Sequence, residues 1–272
     1  MNWFITLSPV LQGLLATLFT WAITAVGSAL VFFFKEVDRR ILNSMLGFGA
    51  GVMIAASFWS LLMPSIELCE KLQFNPIAIP SFGFLCGGLF IIFADKLMDK
   101  FSFGNGAIQK VHEDLSKPQK YKRSILLVMA VTLHNIPEGL AVGVAFGGVA
   151  AGIPGASIVA AITLALGIGL QNFPEGAAVS LPLRREGLPV YKSFMYGQLS
   201  GMVEPLAGVI GVLAALTIQS ILSFLLAFSA GAMISVVGSE LLPEASLENK
   251  NLTTLGLILG FIVMMVLDVV LG

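Results

Sequence analysis

Eight long apolar segments make up most of this chain, and they constrain its fold more than any other feature. A helix needs about 20 mostly apolar residues to cross a bilayer. Hydrophobic residues form 57% of the chain and charged residues 11%, and the mean hydropathy of +0.92 excludes an ordinary globular surface. We therefore predict an all-α integral membrane protein with a single transmembrane domain over 1–272. Its predicted helices are about 9–34, 41–66, 76–94, 124–149, 155–182, 193–217, 220–246 and 252–271.

The basic residues are distributed unevenly between the predicted loops. All of the 15 lysines and arginines except Lys71 follow predicted helices one, three, five and seven, and the longest of these loops is 95–123. Because Lys and Arg favour cytoplasmic loops, we expect both termini outside the cytoplasm of a multi-pass protein in the cell (inner or plasma) membrane. The start, MNWFITLSPV, lacks the positive region of a cleavable signal, so the first segment is expected to remain as a helix.

Two pairs of segments in the chain resemble each other. FGAGVMIAASFWSLLMP, from Phe48, resembles FSAGAMISVVGSELLP, from Phe228, and HNIPEGLAV, from His134, resembles QNFPEGAAV, from Gln171. The first pair lies on predicted helices two and seven and the second on helices four and five, so the members of each pair cross the membrane in opposite directions. This pattern predicts an inverted repeat, with helices one to three related to six to eight and helix four to five. Such repeats are typical of transporters.

The second pair of segments places polar side chains at helical spacing. Positions i, i+3 and i+4 share a helix face, so each motif can present one polar patch. The patches are His134, Asn135 and Glu138 on one helix, and Gln171, Asn172 and Glu175 on the next. Pro137 and Pro174 are expected to kink these helices and to leave a backbone carbonyl free in each.

Four glutamates fall within the predicted membrane helices: Glu138, Glu175, Glu204 and Glu240. A carboxylate at the bilayer centre costs about 2.5 to 3.5 kcal/mol on insertion scales, and no Lys or Arg in these helices can pair with the four. Protons or bound cations are then the remaining partners. Imidazole, carboxylate and amide ligands suit divalent zinc, iron, manganese, cobalt or nickel, and Met53 can add a soft ligand.

Each of these residues also has a purely structural interpretation. His134 can be hydrogen-bonded within the helix bundle, and the asparagines can join neighbouring helices. Met53 can simply fill space in the core, and Glu204 can be a protonated acid beside Pro205. The convergence of polar residues in two related motifs, each with a proline, favours a metal site.

HNIPEG, QNFPEGAA and MVEP resemble motifs of the ZIP family (Zrt- and Irt-like proteins) of divalent-metal transporters, in its bacterial branch. The resemblance covers nearly the whole chain. It implies a 3+2+3 arrangement of eight helices, uptake of zinc into the cytoplasm, and a binuclear site on helices two, four, five and six. By matching positions, one metal would be bound by His134, Glu138, Gln171, Glu175 and Met53. The second would be bound by Asn135, Glu138, Asn172, Glu175 and Glu204, with Glu138 and Glu175 bridging.

The chain departs from the family pattern in two places. Many members have histidine where this chain has Gln171, a neutral ligand that should weaken the first site and its preference for zinc. The cytoplasmic loop holds a single histidine, His112, which can bind metal only weakly with Glu113 and Asp114. Outside, Glu67, Glu70 and Asp268 can form a weak acidic entrance, although solvated carboxylates are the favoured interpretation.

We therefore predict a transporter of divalent cations (zinc, with cadmium, iron, manganese and cobalt open) that is not an enzyme and has no catalytic residue, cofactor-binding residue or prosthetic group. Its expected partners are the metal ion and the lipid bilayer, and a homodimer stays open. The net charge of -1 gives no basic surface for nucleic acid. Three alternatives remain: a metal-selective channel with the same ligands, an intramembrane metal-dependent hydrolase, and a metal-binding receptor. The chain lacks the H-E-x-x-H motif of many zinc hydrolases and the P-loop of ATPases.

Overall fold

A computed structural model describes residues 2–34, 38–101, 117–153, 156–185, 187–217, 221–246 and 249–271. Within these ranges the chain is almost entirely helical and contains no β-strand. The α-helices, in chain order from α1 to α12, are Asn2–Ile5, Pro9–Phe33, Arg39–Ala56, Met63–Lys71, Ala78–Phe101, Lys117–Ala150, Ile158–Arg185, Val190–Ser200, Val203–Thr217, Leu222–Val236, Leu242–Ala245 and Lys250–Leu271.

Six helical stretches of the described residues are long and apolar enough to cross a membrane. Ala78–Ala94 forms a shorter apolar helix within α5. The coarse prediction of an all-α membrane protein is thereby confirmed. The stretches are Pro9–Phe33, Arg40–Lys71, Ile158–Arg185, Val190–Thr217, Leu222–Leu241 and Lys250–Val270.

Two of these stretches, Arg40–Lys71 and Leu222–Leu241, contain a π-helical segment. A π-helical segment, Ser57–Leu62, connects α3 to α4, and a second one, Val237–Leu241, connects α10 to α11. The two π-helical segments occupy the same position in the two similar segments that begin at Phe48 and Phe228. Single π-helical turns often occur at functional sites, and they change the direction in which later side chains project.

Four helix pairs make the most extensive contacts of the described chain. The most extensive contacts join α3 to α12, α10 to α5, α2 to α7, and α9 to α6. Suppose that α2–α5 correspond to α9–α12, and α6 to α7. The contact of α3 with α12 then corresponds to that of α10 with α5, and the contact of α2 with α7 corresponds to that of α9 with α6. These four contacts thus form two equivalent pairs.

Glycines let the paired helices approach closely. A Cβ atom at Gly87 in α5 would overlap the carbonyl oxygen of Phe228, and one at Gly260 in α12 would overlap that of Phe48. The two phenylalanines are the first residues of the two similar segments. Small residues that bring backbones together are the usual means of packing helices in membranes, where lipid competes for apolar side chains.

Candidate metal centre

Helices α6, α7 and α9 carry nearly all of the predicted metal ligands. Helix α6 runs continuously through Pro137, and α7 through Pro174 and Pro182. The kinks expected at Pro137 and Pro174 stay a prediction. The predicted ligands with described side chains on these helices expose at most 7% of their surface: Asn135, Glu138, Gln171, Asn172, Glu175 and Glu204.

The two motifs are joined directly by a hydrogen bond between side chains. Gln171 Nε2 of α7 donates to Glu138 Oε1 of α6 over 2.5 Å. The next residue, Asn172, donates from Nδ2 to Glu204 Oε1 of α9 over 2.9 Å. These hydrogen bonds join predicted ligands from three helices. We call the six buried predicted ligands on these helices the polar cluster. It comprises Asn135, Glu138, Gln171, Asn172, Glu175 and Glu204.

The two asparagines of the polar cluster are held in equivalent ways. Asn135 Nδ2 donates to the carbonyl oxygen of Ser200 over 3.0 Å, and Asn172 Nδ2 donates to that of Thr20 over 3.2 Å. Each amide nitrogen is thereby committed to a backbone acceptor, which leaves the amide oxygen to face another partner. Amide orientation is assigned from such hydrogen bonds.

Some buried oxygen atoms of the polar cluster accept no hydrogen bond from the described part of the chain. Three examples are Asn135 Oδ1, Glu138 Oε2 and Gln171 Oε1. Leaving a buried acceptor unsatisfied costs about 1–3 kcal/mol each. All three belong to predicted metal ligands. A cation bound among them would interact with oxygens that accept no hydrogen bond from the described residues.

The polar cluster is also a concentration of acidic groups. Glu138, Glu175 and Glu204 lie close enough for their charges to interact. Among the described side chains, however, His, Cys, Asp and Glu alone form no group of three that could hold a metal. The amide oxygens of Asn135 and Gln171 are further candidate ligands beside these carboxylates. The side chain of His134 lies outside the described residues.

Gly139 and Gly176 follow the two motif glutamates and bring neighbouring helices to the polar cluster. A Cβ atom at Gly139 would overlap the backbone of Glu204, and one at Gly176 would overlap the carbonyl oxygen of Thr24. The helices therefore approach each other closely at these two glycines. This close approach explains how Glu204, at the start of α9, reaches the α6 motif.

Met53 and Glu240 lie outside the polar cluster and differ from each other in burial. Met53 is fully buried on α3, one turn after Gly49. A Cβ atom at Gly49 would lie 3.6 Å from Gln171 Cβ, so this face of α3 packs on the α7 motif. Glu240 lies in the second π-helical segment and is only partly buried, unlike the three glutamates of the polar cluster.

The acidic residues near the predicted outer surface differ in their exposure and in their hydrogen bonds. Glu67 and Glu70 are exposed, and Glu67 pairs with Lys71 over 3.8 Å. Asp268 is partly buried and accepts a hydrogen bond from Ser60 Oγ over 2.6 Å, so it is not an ordinary solvated carboxylate. The weak site suggested around His112 lies outside the described residues.

Thr20, on α2, is a member of the site that sequence reasoning missed. Its hydroxyl donates to Glu204 Oε2, and its carbonyl oxygen accepts from Asn172. In the sequence, the feature that points to Thr20 is a stripe of polar residues at helical spacing on the mainly apolar helix α2. The stripe consists of Thr17, Thr20, Thr24 and Ser28, all of which are buried.

A multi-pass helical protein with a buried polar cluster on proline-containing, internally related helices belongs to the class of membrane transporters. The family model described as ZIP zinc transporter matches residues 105–268, which include every residue of the polar cluster. The chain belongs to the ZIP zinc transporter family, as its motifs predict.

Similar proteins come from animals and from bacteria. Zinc transporter ZIP11 of Xenopus tropicalis is 43% identical over 97% of this chain and 98% of its own length. The human protein of the same name is 40% identical over the same shares. Zinc transporter GufA of Myxococcus xanthus is 36% identical over 96% of this chain and 99% of its own length. As a member of a transporter family, the chain is not an enzyme, and the hydrolase alternative is set aside.

Proposed function

We propose that this protein transports divalent transition-metal cations, zinc first among them, across the cell membrane into the cytoplasm. The main support is the set of buried oxygens on Asn135, Glu138 and Gln171 that accept no hydrogen bond from the described residues. Buried acceptors without donors are costly, and a cation is the partner that carboxylate and amide oxygens share. The names of the similar proteins agree with zinc as the cargo.

We further propose that two ions bind side by side in the polar cluster. Glu138 of α6 and Glu175 of α7 are close enough for their charges to interact. Because a carboxylate has two oxygens, each of these side chains could bridge two neighbouring ions. The ligands of the first ion would be His134, Glu138, Gln171, Glu175 and Met53, and those of the second Asn135, Glu138, Asn172, Glu175 and Glu204. Two divalent cations would more than offset three carboxylates in a medium where isolated charges are expensive.

The proposed ligand set mixes nitrogen, oxygen and thioether sulfur. This combination suits zinc and also admits cadmium, iron(II), manganese and cobalt. Because amide oxygens replace a second imidazole at Gln171, we expect weaker discrimination for zinc than a site with two histidines would give.

The proposed membrane arrangement has eight helices in a 3+2+3 order with both termini outside. Its support is the equivalent packing of the two halves and the matching π-helical segments. Inverted repeats favour alternating access, in which one group of helices moves relative to the other. Saturation at low metal concentration with slow turnover would distinguish such a carrier from a channel.

Zinc uptake into proteoliposomes that contain the purified protein tests this function. We expect uptake by the parent protein and its loss, by at least an order of magnitude, in Glu138→Ala and Glu175→Ala, because each variant removes a bridging ligand. Folding of each variant is checked by its thermal unfolding midpoint. Glu70→Ala is the matched control, since Glu70 is an exposed glutamate outside the polar cluster.

Parental rates in both cluster variants would contradict the proposed path. If zinc binds but does not cross, the same assay with iron(II), manganese, cobalt and cadmium decides whether another ion is the cargo. Absence of flux for all of these ions would favour a metal-binding receptor instead.

A further inference from the structure

Glu204 differs from Glu138 in how its carboxylate is held. Both oxygens of Glu204 accept hydrogen bonds from protein side chains: Oε1 from Asn172 Nδ2 over 2.9 Å, and Oε2 from the hydroxyl of Thr20. Glu138, in contrast, leaves Oε2 without a partner in the described part of the chain. Glu204 is fully buried, so its two donors fix the direction in which the carboxylate points.

Thr20 lies on α2, a helix that carries none of the proposed metal ligands. Its side chain nevertheless reaches Glu204, and its backbone carbonyl accepts from Asn172. One residue of α2 therefore touches two proposed ligands of the second ion through two different groups. Such a double contact orients both ligands relative to each other.

The hydroxyl of Thr20 has a local alternative to this contact. Its Oγ1 also lies 3.0 Å from the carbonyl oxygen of Thr17, the acceptor that threonine commonly uses within a helix. A hydroxyl has one hydrogen and can serve only one acceptor at a time. Each Glu204 oxygen has two lone pairs, so Oε2 can accept from Thr20 and still bind a cation.

We propose that Thr20 is a positioning residue for the second ion, holding Glu204 and Asn172 in the geometry that binds the metal; this inference rests on the proposed function. Partners that orient metal ligands typically change affinity by about 10–100-fold when they are removed. Thr20 acts through Glu204 and does not itself bind the ion.

The test measures zinc flux in proteoliposomes and zinc affinity in detergent, by competition with a chromogenic chelator, for variants at position 20. Thr20→Val keeps the side-chain shape but removes the hydroxyl, and we expect it to raise the KM and the Kd for zinc by about 10–100-fold. Thr20→Ser restores the hydroxyl and should return both values to within about threefold of the parent protein. If Thr20→Val is not recovered in folded form, Thr20→Ala removes the same hydroxyl with less demand on space.

Thr17→Val is the matched control on the same helix. Thr17 is fully buried, and within the described part of the chain its hydroxyl bonds only to carbonyl oxygens of α2, those of Gly13 at 2.8 Å and Leu14 at 3.2 Å. We expect parental KM and Kd for this variant. In a Glu204→Ala background, Thr20→Val should have little further effect, because the acceptor of the Thr20 hydroxyl is gone and residues that act as one unit are not additive.

The outcomes separate this inference from the function on which it rests. Absence of flux for every divalent ion in the parent protein would overturn the proposed function. Zinc transport by the parent with a parental KM in Thr20→Val would overturn the role of Thr20 alone. An equal loss in Thr20→Ser, or a full additional loss in the Glu204→Ala background, would show that the hydroxyl does not act through Glu204.

Discussion

At the scale of single residues, Gln171 sets the chemistry of the first proposed ion. Its nitrogen donates to Glu138 and its oxygen is buried without a partner among the described residues. We expect Gln171→His to raise zinc affinity about tenfold, which corresponds to about 1.4 kcal/mol, because imidazole is a better zinc ligand than an amide oxygen. The preference for zinc over manganese should rise as well.

Competition titrations with zinc and with manganese measure both quantities for this substitution. Gln198→His is the control, because Gln198 is also a buried glutamine but lies on α8 outside the polar cluster. Equal affinities for the parent protein and Gln171→His, or an equal gain in Gln198→His, would refute the assignment of Gln171 as a ligand.

The sequence predicts the positions of site residues well where they are neighbours in the same helix. The spacing of Asn135 and Glu138 predicts a shared helix face, and both residues are fully buried. The contacts that join Gln171 to Glu138 and Thr20 to Glu204 connect distant parts of the chain, so no local pattern encodes them. Thr20 was missed because a threonine in a membrane helix usually bonds to its own helix, as Thr17 does.

At the scale of helices, α5 packs on α10 through several closely approached glycines, of which Gly87 is one. We expect Gly87→Ala to destabilise the protein by about 1–3 kcal/mol, because the new methyl group would overlap the carbonyl oxygen of Phe228 and force the helices apart. The adjacent Gly88→Ala is a matched control, since its Cβ would lie 3.7 Å from the carbonyl oxygen of Gly231, an ordinary contact.

The thermal unfolding midpoint in detergent is the measurement for both glycine variants. Gly88→Ala should unfold at the parental temperature or slightly above it, because alanine is the better helix former by about 1 kcal/mol. Identical midpoints for the two variants would refute the close contact between α5 and α10.

The sequence predicts helices better than it predicts their irregularities. Long apolar segments anticipate the membrane helices, since the bilayer sets their length. The π-helical segments Ser57–Leu62 and Val237–Leu241 were not predicted, because an extra residue in a turn leaves composition and hydropathy unchanged. Their matching positions emerge only when the two similar segments are compared in three dimensions.

At the scale of the whole molecule, family membership and the all-helical membrane fold are established, whereas the 3+2+3 order and the direction of transport remain proposals. The sequence predicts the internal relation because both pairs of similar segments point to the same matching of helices. It cannot give the tertiary pairs themselves, such as α3 with α12, since these depend on small residues at contacts far apart in the chain. The polar cluster lies where the related helices α6 and α7 meet α9.

The central claim, that divalent cations occupy the polar cluster during transport, is tested most directly by anomalous X-ray diffraction. Crystals of the purified protein grown with zinc are measured on both sides of the zinc absorption edge. We expect two neighbouring anomalous peaks between α6 and α7, both in contact with the carboxylates of Glu138 and Glu175. Zinc peaks found only at exposed carboxylates such as Glu67, with none in the polar cluster, would contradict the claim.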